Sequence, residues 1–167
     1  CHEEVEAIEE NRGVGGIPLP TFSADAVWRA LHHLDERGGV LLADDVGLGK
    51  TFQAGELIAD RVLNHRDRVL VVAPAVLRDG PWRKFLRDRD LPVQVVSFEE
   101  LVADKRLNPE GGTEDKLWHR PNDYKMIVID EAHNLRNPST QRAEALRALL
   151  AGNPPKDVVL VTATPVN

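Results

Sequence analysis

Five short apolar runs narrow the folds open to this chain: "GGVLLA" (38–43), "RVLVVAP" (68–74), "PVQVVSF" (92–98), "YKMIVID" (124–130) and "DVVLVTA" (157–163). Each is a nearly unbroken stretch of branched aliphatic residues, not an alternation of apolar and polar ones. Such runs suit strands buried on both faces, as in a parallel sheet covered by helices. The segments between them carry helical period. "ADAVWRALHHLDERG" brings Ala26, Trp28 or Arg29, Leu31 and Leu34 toward one face and stops at Gly38-Gly39. "KTFQAGELIADRVLNH" turns Ala54, Leu57, Ile58 and Leu63 inward, and "STQRAEALRALLAG" opens on a Ser139 or Thr140 cap and ends at Gly152. Strand and helix in repeated alternation imply right-handed crossovers, so the expected fold class is α/β, an open, mostly parallel sheet with helices on both faces. The longest loop expected is Lys105 to Asp123, with Asn108-Pro109, Gly111-Gly112 and Pro121-Asn122 inside it. "GVGGIPLP" reads as a linker or edge segment ahead of the first helix.

Composition excludes several function classes. At 167 residues, with 42% apolar and 29% charged residues, the chain has the length and make-up of one globular domain. Its longest apolar run, Val69 to Leu77, contains a proline and falls far short of the roughly 20 residues that span a bilayer, so no membrane partner is expected. The start at Cys1, followed by the acidic "CHEEVEAIEE", does not resemble a leader and reads as the beginning of a fragment. A single cysteine rules out an internal disulfide and a cysteine-rich zinc site, and fits a reducing, cytoplasmic setting. The net charge of -6 excludes a uniformly basic surface for nucleic acid but leaves room for a local track.

Two motifs carry the chemistry. "ADDVGLGKT" (43–51) lies between an expected strand and an expected helix, where ligands bind in open α/β sheets. Its departure from G-x-x-x-x-G-K-[ST] is Asp44 in place of the first glycine. Gly47 and Gly49 let the backbone curl so that its N–H groups point at phosphate oxygens, and the following helix adds its positive end. Lys50 then reaches the β and γ phosphates and the Thr51 hydroxyl ligates Mg²⁺. The competing reading is a glycine-rich turn with a solvated lysine. "MIVIDEAH" (126–133) ends a buried strand on Asp130, which can hold Mg²⁺, and Glu131, which can orient and deprotonate an attacking water. The competing reading there is a pair of acids favoured at a helix start. The presence of both motifs in one chain favours the nucleotide site.

On these motifs the chain resembles, from Leu19 to Val166, the first RecA-like lobe of a superfamily-two helicase or translocase, specifically a bacterial-looking Swi/Snf-type ATPase. Asp44 is then a family feature, since "ADDVGLGKT" matches the family's A-x-x-G-x-G-K-T loop. "VVAPAVLRDGPWRKF" is similar to motif Ia, with Pro74 ending the second strand and a leucine and a tryptophan after it. "DEAHNLRNPSTQR" is similar to the extended motif II, which continues into Arg136 and Asn137, and "VTATP" (161–165) resembles motif III. The resemblance implies a division into an N-terminal extension (1–18) and the ATP-binding lobe (19–167). It implies ATP and Mg²⁺ as cofactors, cradled by Asp45, Val46, Gly47, Leu48, Gly49, Lys50 and Thr51, with Thr51 and Asp130 toward the metal and Glu131, Lys50 and Asp130 catalytic. It further implies that His133, Thr162 and Thr164 transmit the state of the γ-phosphate and that Pro74 belongs to the nucleic-acid side. A zinc role for His133 has no cysteine or second histidine at ligand spacing.

Three departures accompany the resemblance. The family's adenine-reading glutamine is replaced in "LPTFSADA" by Ser23, which makes one contact where an amide makes two, with Phe22 beside it to stack. Motif Ia is one residue longer than usual, with Asp79-Gly80-Pro81 ahead of Trp82, and Asp79 or Gly80 is expected to cap a helix that carries Pro81 in its first turn. The sequence ends just after motif III, so the second RecA-like lobe, a partner in cis with its arginine finger, is expected to lie outside it and the piece alone to turn over weakly. The implied activity is an ATP-dependent translocase lobe on duplex DNA, tracked by Lys84, Arg87, Arg89, Lys105 and Arg106, each of which reads equally as a solvated charge. Two alternatives remain: a strand-separating helicase on RNA or DNA, and a nucleotide-sensing scaffold module that does not hydrolyse ATP.

Overall fold

The computed structural model describes residues 38–43, 50–132, 140–152 and 155–162. The readings of the helix before residue 38, of Phe22 and Ser23, of the loop 44–49, and of His133, Ser139 and Thr164 lie outside the described residues.

All five apolar runs become strands: β1 (Gly39–Ala43), β2 (Val69–Val72), β3 (Gln94–Val96), β4 (Met126–Ile129) and β5 (Asp157–Thr162). They form one wholly parallel sheet in the order β1-β5-β4-β2-β3. β4 lies between β5 and β2, with Ile129 level with Leu160 on one side and Val72 on the other. The unbroken apolar character of the runs follows from burial on both faces, since neighbouring side chains of a strand point to opposite sides. Val69, Val71, Met126, Val128, Val159 and Val161 enter one core, with Ala54, Leu57 and Ile58 from α1 (Lys50–Ala59) and with Trp82 and Leu86. Leu70, Val72, Ile127 and Ile129 enter the other, with Phe98 and Leu101 from α4 (Phe98–Ala103) and with Ala145 and Leu149 from α5 (Thr140–Leu150).

Two helices depart from regular α geometry, and each departure changes which side chains face inward. α1 continues into a π-helical turn, Asp60–Asn64, whose wider winding rotates the side chains after it. Leu63, expected in the core, is therefore 53% exposed, while Val62 packs against the core in its place. After β2 the chain runs from α2 (Ala75–Leu77) through a second π-helical turn, Arg78–Trp82, into α3 (Arg83–Asp88). The helix therefore begins at Pro74, whose carbonyl accepts from the N–H groups of Leu77 and Arg78, and not at Asp79 or Gly80. Asp79-Gly80-Pro81 therefore lie inside the helix, in its π-helical turn. Pro81 sits within the wide turn, where its missing N–H and its ring are tolerated better than in a tight α ladder.

The apolar run at 92–98 yields only three residues of strand because Ser97 starts α4. Its side chain accepts from the Glu100 N–H and the Glu100 carboxylate accepts from the Ser97 N–H, a reciprocal cap. The long connection from Lys105 to Asp123 is organised around the buried carboxylate of Asp104. That carboxylate accepts from the backbone N–H groups of Arg106 (2.8 Å), Lys116 (2.7 Å) and Leu117 (3.1 Å) and from the Arg106 guanidinium (3.0 Å). Gly112 lies so close to this hub that a Cβ would stand 2.6 Å from the Asp104 backbone. A turn of 3₁₀ helix, Pro121–Asp123, leads into β4, and the buried Lys156 ammonium donates to the Pro121 and Leu149 carbonyls, joining this turn to the end of α5.

Burial pushes the Asp104 carboxyl up, but the Arg106 guanidinium and the three amides outweigh it and hold the group below the ordinary carboxylate range. A carboxyl held low in the folded state contributes its full stabilisation above its unfolded value of about 4, and loses it as pH falls through the folded value. Asp104→Asn, which places an amide donor among donors, should cost about 2–3 kcal/mol at pH 7. Urea unfolding should show the gap between the two proteins narrowing below pH 4.

Candidate functional site

The strand order brings the separated motifs to one edge of the sheet. β1, β5 and β4 are neighbours, and Ala43, the last residue of β1, is level with Thr162, the last of β5. β1 therefore ends beside the end of β5, and α1 begins at Lys50. Asp130 follows β4 one strand further along, its N–H donating to the Val72 carbonyl (2.8 Å), and Pro74 follows β2 next to it. Carboxyl ends of neighbouring parallel strands are where an open α/β sheet binds ligands. Among the predicted site residues that are described, Lys50, Thr51, Pro74, Asp130, Glu131 and Thr162 all belong to this edge. Thr51 and Pro74 are half-buried there, and Thr162 is buried.

Asp130 is held at both oxygens. The indole Nε1–H of Trp82, a fully buried side chain, donates to Oδ2 at 2.7 Å, and the N–H of Glu131 donates to Oδ1 at 2.7 Å. Glu131 adopts a left-handed backbone with φ 56°, a conformation that costs a side-chain-bearing residue on the order of 1 kcal/mol. Arg66 and Asp90, both in connections away from this edge, share that conformation.

The carboxylate fits a magnesium ion. An ionised carboxylate offers about four acceptor positions and the two N–H donors occupy two, so each oxygen retains capacity for a hard cation or its water. Magnesium commonly takes one or two carboxylates and completes its shell with phosphate oxygens and water, which agrees with a buried aspartate at this edge. Thr51, half-buried in the first turn of α1, carries a hydroxyl of the kind such a shell takes.

Behind this edge, α1 is locked to α3 by a buried ion pair that the sequence reading did not anticipate. Glu56 and Arg89 pair with side chains 0% and 2% exposed, and the Arg89 guanidinium lies 5.1 Å over the Phe52 ring and 4.7 Å over that of Phe85. Phe85 packs against Gly55 so closely that a Cβ there would meet the ring at 2.1 Å. Arg89 is thus withdrawn from the set of track residues: it serves the interior, because a carboxylate on the inward face of α1 demands a buried counter-charge. Arg106 is committed to Asp104 and the Leu117 carbonyl (3.0 Å). Lys84, Arg87 and Lys105 are exposed, with Lys84 within 2.6 Å of Asp88 and Lys105 3.9 Å from Asp115. The missed signal was Glu56, a charge among Ala54, Leu57 and Ile58 on a helix face otherwise apolar.

No protein-family model matches the chain. Relatives and solved structures do. It is 30% identical over 137 residues, 77% of this chain, to an uncharacterized ATP-dependent helicase, YqhH, of Bacillus subtilis (strain 168). It is 30% identical over an alignment of 186 residues, 98% of this chain, to the RNA polymerase-associated protein RapA of Stutzerimonas stutzeri (strain A1501). It spans 24% and 19% of the lengths of these two relatives. The SWI2/SNF2 ATPase core of Sulfolobus solfataricus in complex with dsDNA superimposes with a TM-score of 0.63 and 25% identity, over 86% of this chain and 31% of that one. A second structure of that core shares the fold at a TM-score of 0.63 and 23% identity.

Breaking one side of the buried pair leaves the other charge without its counter-ion. Arg89→Met alone should destabilise by about 3–5 kcal/mol, whereas Arg89→Met with Glu56→Leu should recover most of the loss. Equilibrium unfolding of the two variants against the parent checks this, and equal losses would remove the pair from its role.

Proposed function

Because the chain is a RecA-like lobe of the Swi/Snf-type superfamily-two ATPases, we propose that it is the ATP-binding half of a motor that hydrolyses ATP and moves on duplex DNA. The observation that carries this reading is the convergence of the β1 loop, the β5 end and the Asp130-Glu131 pair on one sheet edge. The ends of three strands far apart in sequence share one edge of the sheet, as a phosphate site requires.

In this reading the loop 45–51 cradles the phosphates with backbone N–H groups, and Lys50 places its ammonium against the β and γ phosphates. Asp130 and Thr51 hold Mg²⁺, which when bound neutralises charge on the phosphate oxygens. Glu131 accepts a proton from the water that attacks the γ-phosphorus, the ADP oxygen leaves on the opposite side, and inorganic phosphate is released. Its left-handed backbone turns the residue away from the line of β4, which gives the base an orientation distinct from that of Asp130. Thr162 sits between the phosphate loop and Asp130, a position from which loss of the γ-phosphate can be passed to the neighbouring strand ends.

Pro74 starts the helix on the far side of Asp130, so a contact to the DNA backbone in this region would lie one strand from the metal carboxylate. The exposed Lys84, Arg87 and Lys105 are the basic side chains for that track. Phosphate contacts of this kind position a duplex without reading its sequence. The dsDNA of the Sulfolobus complex favours duplex over single strands. A second lobe in cis would complete the γ-phosphate shell, and the lobe alone should bind nucleotide better than it turns it over.

In the full-length protein, Lys50→Ala should abolish Mg·ATP binding, and Glu131→Gln should keep binding while lowering hydrolysis by about 10² or more. Steady-state hydrolysis with no nucleic acid, single-stranded DNA, duplex DNA and RNA should show stimulation by duplex DNA. Stimulation by single strands or RNA alone would instead identify a strand-separating helicase, and no hydrolysis under any condition would identify a binding module.

A further inference from the structure

We propose that Trp82 is a positioning residue for the magnesium-holding carboxylate, so that the helix after β2 sets the geometry of the metal site through one hydrogen bond. The inference rests on the reading of Asp130 given above. An indole carries a single polar atom, which donates and cannot accept, and a buried indole needs an acceptor for it. For Trp82, with no exposed surface, that acceptor is Asp130 Oδ2 at 2.7 Å, 48 residues further along the chain.

The other oxygen is held by the amide of Glu131. That bond alone would leave the carboxylate plane free to turn about it. Two donors on two oxygens fix both the plane and the lone pairs that remain. Metal sites are commonly tuned this way by groups that touch a ligand and not the metal.

Trp82 reaches Asp130 because of the π-helical turn Arg78–Trp82, which sets the phase of the helix at its last residue. The indole therefore reports where this helix stands, and the helix begins at Pro74 and lies against α1 through Phe85 and Gly55. A shift of the helix would change the hold on Asp130 without altering any residue that meets nucleotide.

The test compares the full-length protein with Trp82→Phe and with Trp82→3-benzothienylalanine, an isostere that keeps the bicyclic shape and replaces the N–H by sulfur. The readout is equilibrium binding of fluorescent ADP, titrated with Mg²⁺ and repeated in EDTA. Both variants should need about tenfold more Mg²⁺ at half-saturation, with binding in EDTA unchanged. The isostere guards against a folding defect in Trp82→Phe, and circular dichroism confirms that each is folded. A Mg²⁺ midpoint within twofold of the parent in the folded isostere would overturn the proposal. Asp130→Asn separates the two levels. If it removes the Mg²⁺ dependence while the isostere leaves it untouched, the positioning role alone fails. If it leaves the Mg²⁺ midpoint in place, Asp130 is not the metal ligand and both readings fall together.

Discussion

Burial of a parallel sheet on both faces is the constraint from which the rest of this structure follows. A strand covered on either side has no polar face to spare, so its functional groups are confined to its ends. Parallel strands run in one direction, so all their carboxyl ends share an edge. The order β1-β5-β4-β2-β3 then decides which strand ends meet, placing Ala43, Thr162 and Asp130 at the ends of three successive strands and Pro74 after the fourth. Residues more than a hundred positions apart, such as Ala43 and Thr162, become neighbours through strand order.

Behind that edge two polar contacts cross the apolar packing. Glu56 meets Arg89, whose guanidinium lies against two phenylalanine rings, and Trp82 donates its only polar hydrogen to Asp130. The first contact fixes α1 against α3 and the second fixes the same helical segment against β4. α1 and β4, the strand that leads to Asp130, are thus both referenced to one element, the helix after β2. A buried ion pair is a weak source of net stability, but it tolerates few alternative arrangements, which suits a place where register between two helices matters.

The strands and the edge-site motifs were legible in the sequence because they depend on local pattern. Continuous valine runs report two-sided burial wherever they occur, and Asp130-Glu131 after such a run reports a strand end. The phase of the helices was less legible. Leu63 sits at a regular inward position by count, yet a π turn begun at Asp60 carries it to the surface, and nothing in "DRVLN" marks that turn. Asp79-Gly80-Pro81 suggested a helix start for good local reasons, but the chain was already helical from Ala75. α4 was readable and passed over: Ser97 with Glu100 three residues later is a reciprocal cap, hidden by the valines before it. The roles of Arg89, Arg106 and Trp82 depended on partners 33, 2 and 48 residues away, and no spacing rule selects among such partners.

The wide turn at Arg78–Trp82 also bears on how such a lobe can change over generations. Adding one codon to a gene is an abrupt step, and in a strand it would turn every later side chain to the wrong face. Within a helix the same addition can be taken up by a single loosened turn, leaving β2 before it and β3 after it in register with their neighbours. The insertion then rotates a handful of side chains and spares the scaffold. A segment built this way can sample new partners for its buried residues at little risk to the fold.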